Sequence, residues 1–455
     1  MTNTSRPPNR SLQALVAETG CAYEAIARTV NAVGAEAGLY LHYTRPSVAQ
    51  WMNGARPRDP VPAFLAEALS RRLGRPVMVS DIGMAPPGDG TGIGLAGDLD
   101  PAAALADLGS TMRRRTLITT GAYSLAAAWA LPDWQEIAER GTLTARAAGP
   151  RIGAGDVAAV QAMTRMFTQV DDMHGSGAVR DTALAYLTNE VAADLKADAT
   201  DAVRRDLHRA ASTLAYLVGW YHWDSEQHPA AQRLYTLALR LAASADDGPA
   251  YATVLRGMSV QAGSLHHHNT AVHLAEQAVT AAGGITASPL HRAFVLASLA
   301  TATGGVRNRR AALRHLAETE HALERADQAP GPSGGFHAAS LEHTAALTHR
   351  ALGDLKTATA AMDRSNRARP THERTHRAVS SGILAEMLLD LGRLDEACQA
   401  WTTLLDEHAN VRCGRADSAV ALMRARLRPH ARMPATAALL QRSGTGSQGR
   451  TANGP

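Results

Sequence analysis

The chain has 455 residues, 45% of them hydrophobic but only 4% aromatic, with a net charge of +4. That length calls for more than one folding unit, and so small a net charge excludes a protein that coats nucleic acid. The cysteines, Cys21, Cys398 and Cys413, are too scattered for a disulfide framework and fit a reducing, cytoplasmic setting.

Alanine is abundant and β-branched runs of strand length are scarce, which points to an all-α chain. Residues 1–10 are polar and read as disordered, with no apolar stretch of a signal peptide behind them. A first helix, Ser11–Thr19, turns Leu12, Leu15 and Val16 inward and ends at Gly20; a second carries the stripe Tyr23, Ile26, Ala27, Val30, Val33. GAEAGLYLHY (34–43) leads into TRPSVAQWMNGARPRD (44–59), a short helix with Val48, Trp51 and Met52 inward, Pro46 in its first turn and Gly54 past its end. Its outward residues are Arg45, Ser47 and Gln50, with Arg56 and Arg58 just downstream, side chains that bond base edges and phosphates. Asp59 and Pro60 read as the cap and first residue of a further helix, which buries Val61, Leu65, Ala68, Leu69 and Leu73 and stops at Gly74. Residues 1–80 hold nine arginines against five acidic residues. Helices in this order are how a helix-turn-helix reads a major groove.

The strings AIARTVNAVGAEAG (25–38) and SVAQWMNGARPRDPVPAFLAEALSRRLGRPV (47–77) resemble the lambda-repressor-like N-terminal domains of actinomycete Xre-type regulators. The resemblance implies that Thr44, Arg45, Ser47 and Gln50 begin the recognition helix and face double-stranded DNA, while Arg56 and Arg58 touch phosphates. One departure is the connection of about ten residues before Thr44, where a compact motif uses three or four.

Residues 11–83 therefore form the DNA-binding domain, and 84–100 a Gly/Pro-rich linker. Its GDGTGIG lacks the Gly-Lys-Ser/Thr ending of a phosphate loop. Arg113–Arg115 and the apolar run behind them look like a twin-arginine export signal, but they lie more than 100 residues into the chain. The run is also shorter than the ~20 residues that cross a bilayer. Residues 101–150 are read instead as a connecting helical segment, with no membrane partner.

From Asp156 a helix with Val160, Met163, Phe167 and Val170 on one face opens a repeat region over 151–433. Its frame recurs at Ala231/Tyr235/Ala238, with Gly219 upstream, at Ala271/Ala275/Ala278 and around Ala312 and Leu316. It recurs again in ALGDLKTA (351–358) and DLGRLDEA (390–397), at intervals of roughly 40, 41, 46 and 39 residues, and small residues let paired helices approach. These features resemble tetratricopeptide repeats lengthened by loops such as PGPSGG (330–335), and RRDLHRAASTLAYLVGWYHWDSEQHPAAQRLYTLALRLA (204–242) resembles the sensor region of the same regulators. The tail 434–455 reads as disordered.

Four consecutive aromatic residues, Trp220, Tyr221, His222 and Trp223, cover every side of a helix. They pack between helices or, in part, rim a groove for a peptide, protein or small-molecule effector. His266–His268 point in different directions, and Cys398, His408 and Cys413 lack zinc spacing, so neither metal nor other cofactor is expected. No catalytic motif is present and no enzyme is expected. The expectation is a cytoplasmic, dimeric transcriptional regulator, which the resemblance links to differentiation or antibiotic production. The alternative is a helical-repeat adaptor whose helix-turn-helix no longer binds DNA.

Overall fold

The computed structural model describes residues 7–84, 103–105, 123–129, 151–282, 288–326 and 335–448. Among them every regular element is helical, apart from an isolated bridge between Arg151 and Asp198. Most of the 84–100 and 101–150 segments, Arg113–Arg115 and nearly all of the 330–335 loop lie outside the described residues.

The N-terminal domain holds α1 (Arg10–Thr19), α2 (Tyr23–Glu36), α3 (Arg45–Met52) and α4 (Val61–Leu73). The expected stripes meet as one core that includes Leu12, Val16, Ile26, Val30, Val33, Val48, Trp51, Phe64, Leu65 and Leu69. The disorder expected over residues 1–10 is corrected at Asn9 and Arg10. Asn9 Oδ1 accepts from the Leu12 N–H at 3.0 Å, capping α1, while its Nδ2 donates to the Ile82 carbonyl at 2.8 Å. The α4 cap also differs from expectation: Pro60 is the capping position, the helix starts at Val61, and Asp59 stays exposed.

Next in the chain come the short α5 (Leu125–Trp129), then α6 (Ala154–His174) and α7 (Arg180–Tyr186). Five antiparallel helix pairs follow: α8 (Asp201–Asp224) with α9 (His228–Ser244), α10 (Gly248–Ser264) with α11 (His268–Ala282), and α12 (Pro289–Gly305) with α13 (Arg309–Glu324). The last two are α14 (Ala338–Ala351) with α15 (Leu355–Ala368), and α16 (Arg374–Asp390) with α17 (Leu394–His408). Each pair packs on the next, making a helical-repeat solenoid. The turn inside every pair places one residue in the left-handed region: Glu226, His266, Arg307, Gly353 and Gly392. Their spacing reproduces the intervals read from the sequence. Gly219 shows why small residues recur, since a Cβ there would stand 2.8 Å from the Tyr235 ring.

α18 (Gly414–Leu427) and α19 (Pro434–Gln448) end the array. The disorder expected from 434 is thus corrected over 434–448. Leu439 is buried there, and Arg424 Nε donates to Ser443 Oγ at 3.0 Å.

The C-terminal end of the solenoid returns to its beginning. The Arg412 N–H donates to the His174 carbonyl at 2.7 Å, and the Gly177 N–H to the Arg412 carbonyl at 2.9 Å. Thr375 Oγ1 donates to the Asp171 carbonyl at 3.0 Å. Gly175 permits this seam: its φ is +83°, and a Cβ would come within 2.3 Å of the Arg412 carbonyl oxygen.

Candidate functional site

The outward face of α3 is set by what the helix buries. Val48, Trp51 and Met52 lock it to the core, leaving Thr44, Arg45 and Gln50 exposed, together with Arg56 and Arg58 beyond it. Ser47 is half-buried, and its Oγ accepts from the Thr44 N–H at 3.3 Å, so it serves the helix start. The connection Ala37–Thr44 is held rather than loose. Asn31 clamps Tyr43 through both backbone groups, at 2.8 and 2.9 Å, and Tyr43 packs edge-on to Trp51. Tyr40 in this connection is 91% exposed, an aromatic that periodicity could not single out. Glu24 sits at the same end, its carboxylate accepting from the Arg45 N–H at 3.3 Å.

A joint ties this domain to the repeats. The Leu125 N–H donates to Glu67 Oε2 at 2.8 Å, and Arg71 spans Glu67, Glu36 and the Tyr123 carbonyl. On the solenoid side, Gln232 pairs with both backbone groups of Ser124 at 2.8 Å, and Trp129 Nε1 donates to Thr270 Oγ1 at 2.8 Å. Tyr123 stacks on His267 and Trp129 on His273. His267, from the run noted in the sequence, and His273 therefore pack at this joint. Among the described residues, no three His, Cys, Asp or Glu side chains come together as a metal site.

Burial pushes the Glu67 carboxyl up to about 7, against the pull of Arg71, from an ordinary 4.5. The folded chain keeps a proton there that the unfolded chain has released. This contribution is therefore complete below about pH 4.5 and is lost as the pH rises through about 7. Glu67→Gln keeps an acceptor for Leu125 and cannot ionise, so the variant's melting temperature is expected to fall less than the parent's over that range. Parallel slopes for the two proteins would show that Glu67 does not set it.

The aromatic run divides. Tyr221, His222 and Trp223 are buried: His222 Nδ1 lies 2.6 Å from Gln227 Oε1, and Trp223 Nε1 donates to Ser264 Oγ at 3.1 Å. Burial lowers His222 to about 4. Only Trp220 is left half-buried. Around it gather side chains from several repeats. The Arg256 guanidinium of α10 lies 4.3 Å from the Phe294 ring centroid and 5.2 Å from that of Trp220. Arg415 of α18 lies 4.3 Å from the Trp223 centroid and donates to Asp224 Oδ1 at 2.6 Å. Burial works against the charge of Asp224, but Arg415, Ser176 and Cys413 hold its carboxyl below the ordinary range. The charges of Arg256 and Arg415 reach His343 of α14, and that of Arg415 reaches His376 of α16. Burial lowers the two histidines to about 3 and about 4, helped by the arginine charges around them. None of Arg256, Phe294, His343, His376 or Arg415 was singled out from the sequence, because each comes from a different repeat and no spacing links them.

A family model described as the SP15 N-terminal domain matches residues 12–85, the N-terminal domain alone. No curated protein matches the chain. Among solved structures, the chain is similar to a Rap protein in the crystal structure of its complex with competence and sporulation factor. The TM-score is 0.42 and the identity 13%, over 71% of this chain and 87% of that one.

Proposed function

We propose that this chain is a cytoplasmic DNA-binding transcriptional regulator of Xre type, whose solenoid senses a peptide, protein or small-molecule signal. The observation that carries the DNA half is the face of α3, where Arg45 and Gln50 are exposed while Trp51 fixes the helix to its core. In this reading Gln50 pairs with an adenine edge, Arg45 reaches a base or phosphate, and Arg56 and Arg58 bind the backbone. One short helix offers few base contacts, so the working form is a homodimer on paired half-sites. The domain division in this reading is residues 11–83 for DNA, 84–100 as linker, 101–150 as connection and 151–433 as sensor. No described helix is long and apolar enough to cross a membrane.

Electrophoretic mobility shift against the DNA upstream of the chain's own coding region tests the proposal. Gln50→Ala should cost about 1–3 kcal/mol at the preferred operator and relax specificity at one base pair. Arg58→Ala should weaken all sequences alike and reduce the salt slope by about one unit. Folded Gln50→Ala and Arg45→Ala variants with unchanged affinity and specificity would remove both from the reading face.

A second reading, a repeat-protein adaptor that no longer binds DNA, is favoured by two observations. The connection Ala37–Thr44 is longer than a compact motif uses, and the Glu24 carboxylate stands where phosphates would approach. Absence of any shift at low salt would select it.

A further inference from the structure

Resting on the sensor reading above, we propose that Arg256, beside Trp220 and Phe294 and with His343, His376 and Arg415 around it, binds the anionic group, carboxylate or phosphate, of a small ligand.

Arg256 carries most of the argument. Among the described residues no carboxylate pairs with it. Its single hydrogen bond runs from Nη1 to the Tyr216 hydroxyl at 3.4 Å, and its Nε is buried without a partner. The guanidinium lies against the Phe294 and Trp220 rings, at 4.3 and 5.2 Å from their centroids, and its edge can bond an anion. A buried donor without an acceptor costs free energy unless something occupies the site.

The surroundings agree in sign. His343 and His376 each bury an Nδ1 that has no partner, and the charges of Arg256, Arg369 and Arg415 all bear on His343. The carboxylates nearby are committed: Asp224 to Arg415 and Ser176, and Glu373 to Arg369 and His337. Asp171 adds little negative charge, because burial and the neighbouring Asp224 hold its carboxyl well above the ordinary range. An incoming anion therefore meets positive charge at Arg256 that no carboxylate among the described residues pairs, and that charge reaches His343. Trp220, in contact with both arginines, would report its arrival.

The full-length protein is titrated at constant ionic strength with sodium phosphate and, separately, with sodium benzoate. Tryptophan emission is followed, and benzylamine hydrochloride serves as the cationic control. Saturable change is expected with the anions and not with benzylamine. Tighter binding of phosphate would point to a phosphorylated ligand, and tighter binding of benzoate to a carboxylic acid. Arg256→Gln should weaken binding about tenfold or more, the loss of a charge-assisted hydrogen bond. Should that variant misfold, Arg256→Lys and His343→Asn must each weaken it while keeping the parent's circular dichroism. No saturation with either anion, or undiminished binding in the folded variants, would overturn the assignment. Saturable anion binding that leaves operator retention unchanged would keep this site and remove its coupling to DNA. A protein that shifts its operator but ignores both anions would do the reverse.

Discussion

Trp51→Ala is expected to unfold the N-terminal domain, with a loss of about 3–5 kcal/mol from deleting so large a core side chain. Trp51 is buried, meets Tyr43 edge-on, and Tyr43 is itself clamped by Asn31, so one deletion loosens α2, α3 and their connection together. Small domains hold about 5–15 kcal/mol in all, so the loss is comparable with the total. The solenoid has its own core and should keep its melting transition. In the proposed reading, binding to all DNA sequences should be lost alike, in contrast to the selective effect of Gln50→Ala. A variant whose early transition survives unshifted would mean that Trp51 does not hold the domain together.

The second large effect is expected from Arg415→Ala. Asp224 is 1% exposed, and among the described residues its donors besides Arg415 are Ser176 Oγ and Cys413 Sγ. Removing the guanidinium strands a buried carboxylate, which costs about 3–5 kcal/mol. Adding Asp224→Asn should recover part of that loss, because the uncompensated charge goes with it. The coupling between the two positions, read from a double-mutant cycle in denaturant, should therefore be large. Additive losses would place the pair among the weak ones.

Much of the fold was legible in the residues. The stripes Leu12/Val16, Ile26/Val30/Val33 and Val48/Trp51/Met52 name the N-terminal core because helical period and burial coincide there. The repeat interval was equally legible, since paired helices need small residues at recurring positions. The glycines at 353 and 392 mark the turns, but Glu226, His266 and Arg307 fill the same left-handed position without any such signal. Each pays a backbone cost of about 1–2 kcal/mol that glycine avoids. The exposed Arg307 is the simplest to change: Arg307→Gly should raise the melting temperature, and a lower one would mean the Arg307 side chain earns its place.

The cluster around Trp220 was not legible. Asp224 and Arg415 stand 191 positions apart, and nothing in either neighbourhood announces the other. Of the aromatic run at 220–223, composition alone could not say that Trp220 would be left half-buried and the other three packed away. The helix at Pro434–Gln448 was missed for a related reason: its polar composition hides that Leu439 and Ser443 have partners on α17 and α18.

The seam at His174, Gly177 and Arg412 bears on how such a chain can change length over generations. An open array of repeats gains or loses a unit at little cost, because each touches only its neighbours. Here Thr375, Arg412 and Arg415 must reach Asp171, His174 and Asp224 at a set rotation and rise. Duplicating one helix pair would carry these groups past their partners, and deleting one would leave them short. The repeat number is thus a fixed property of the molecule, and insertions are confined to the loops between pairs.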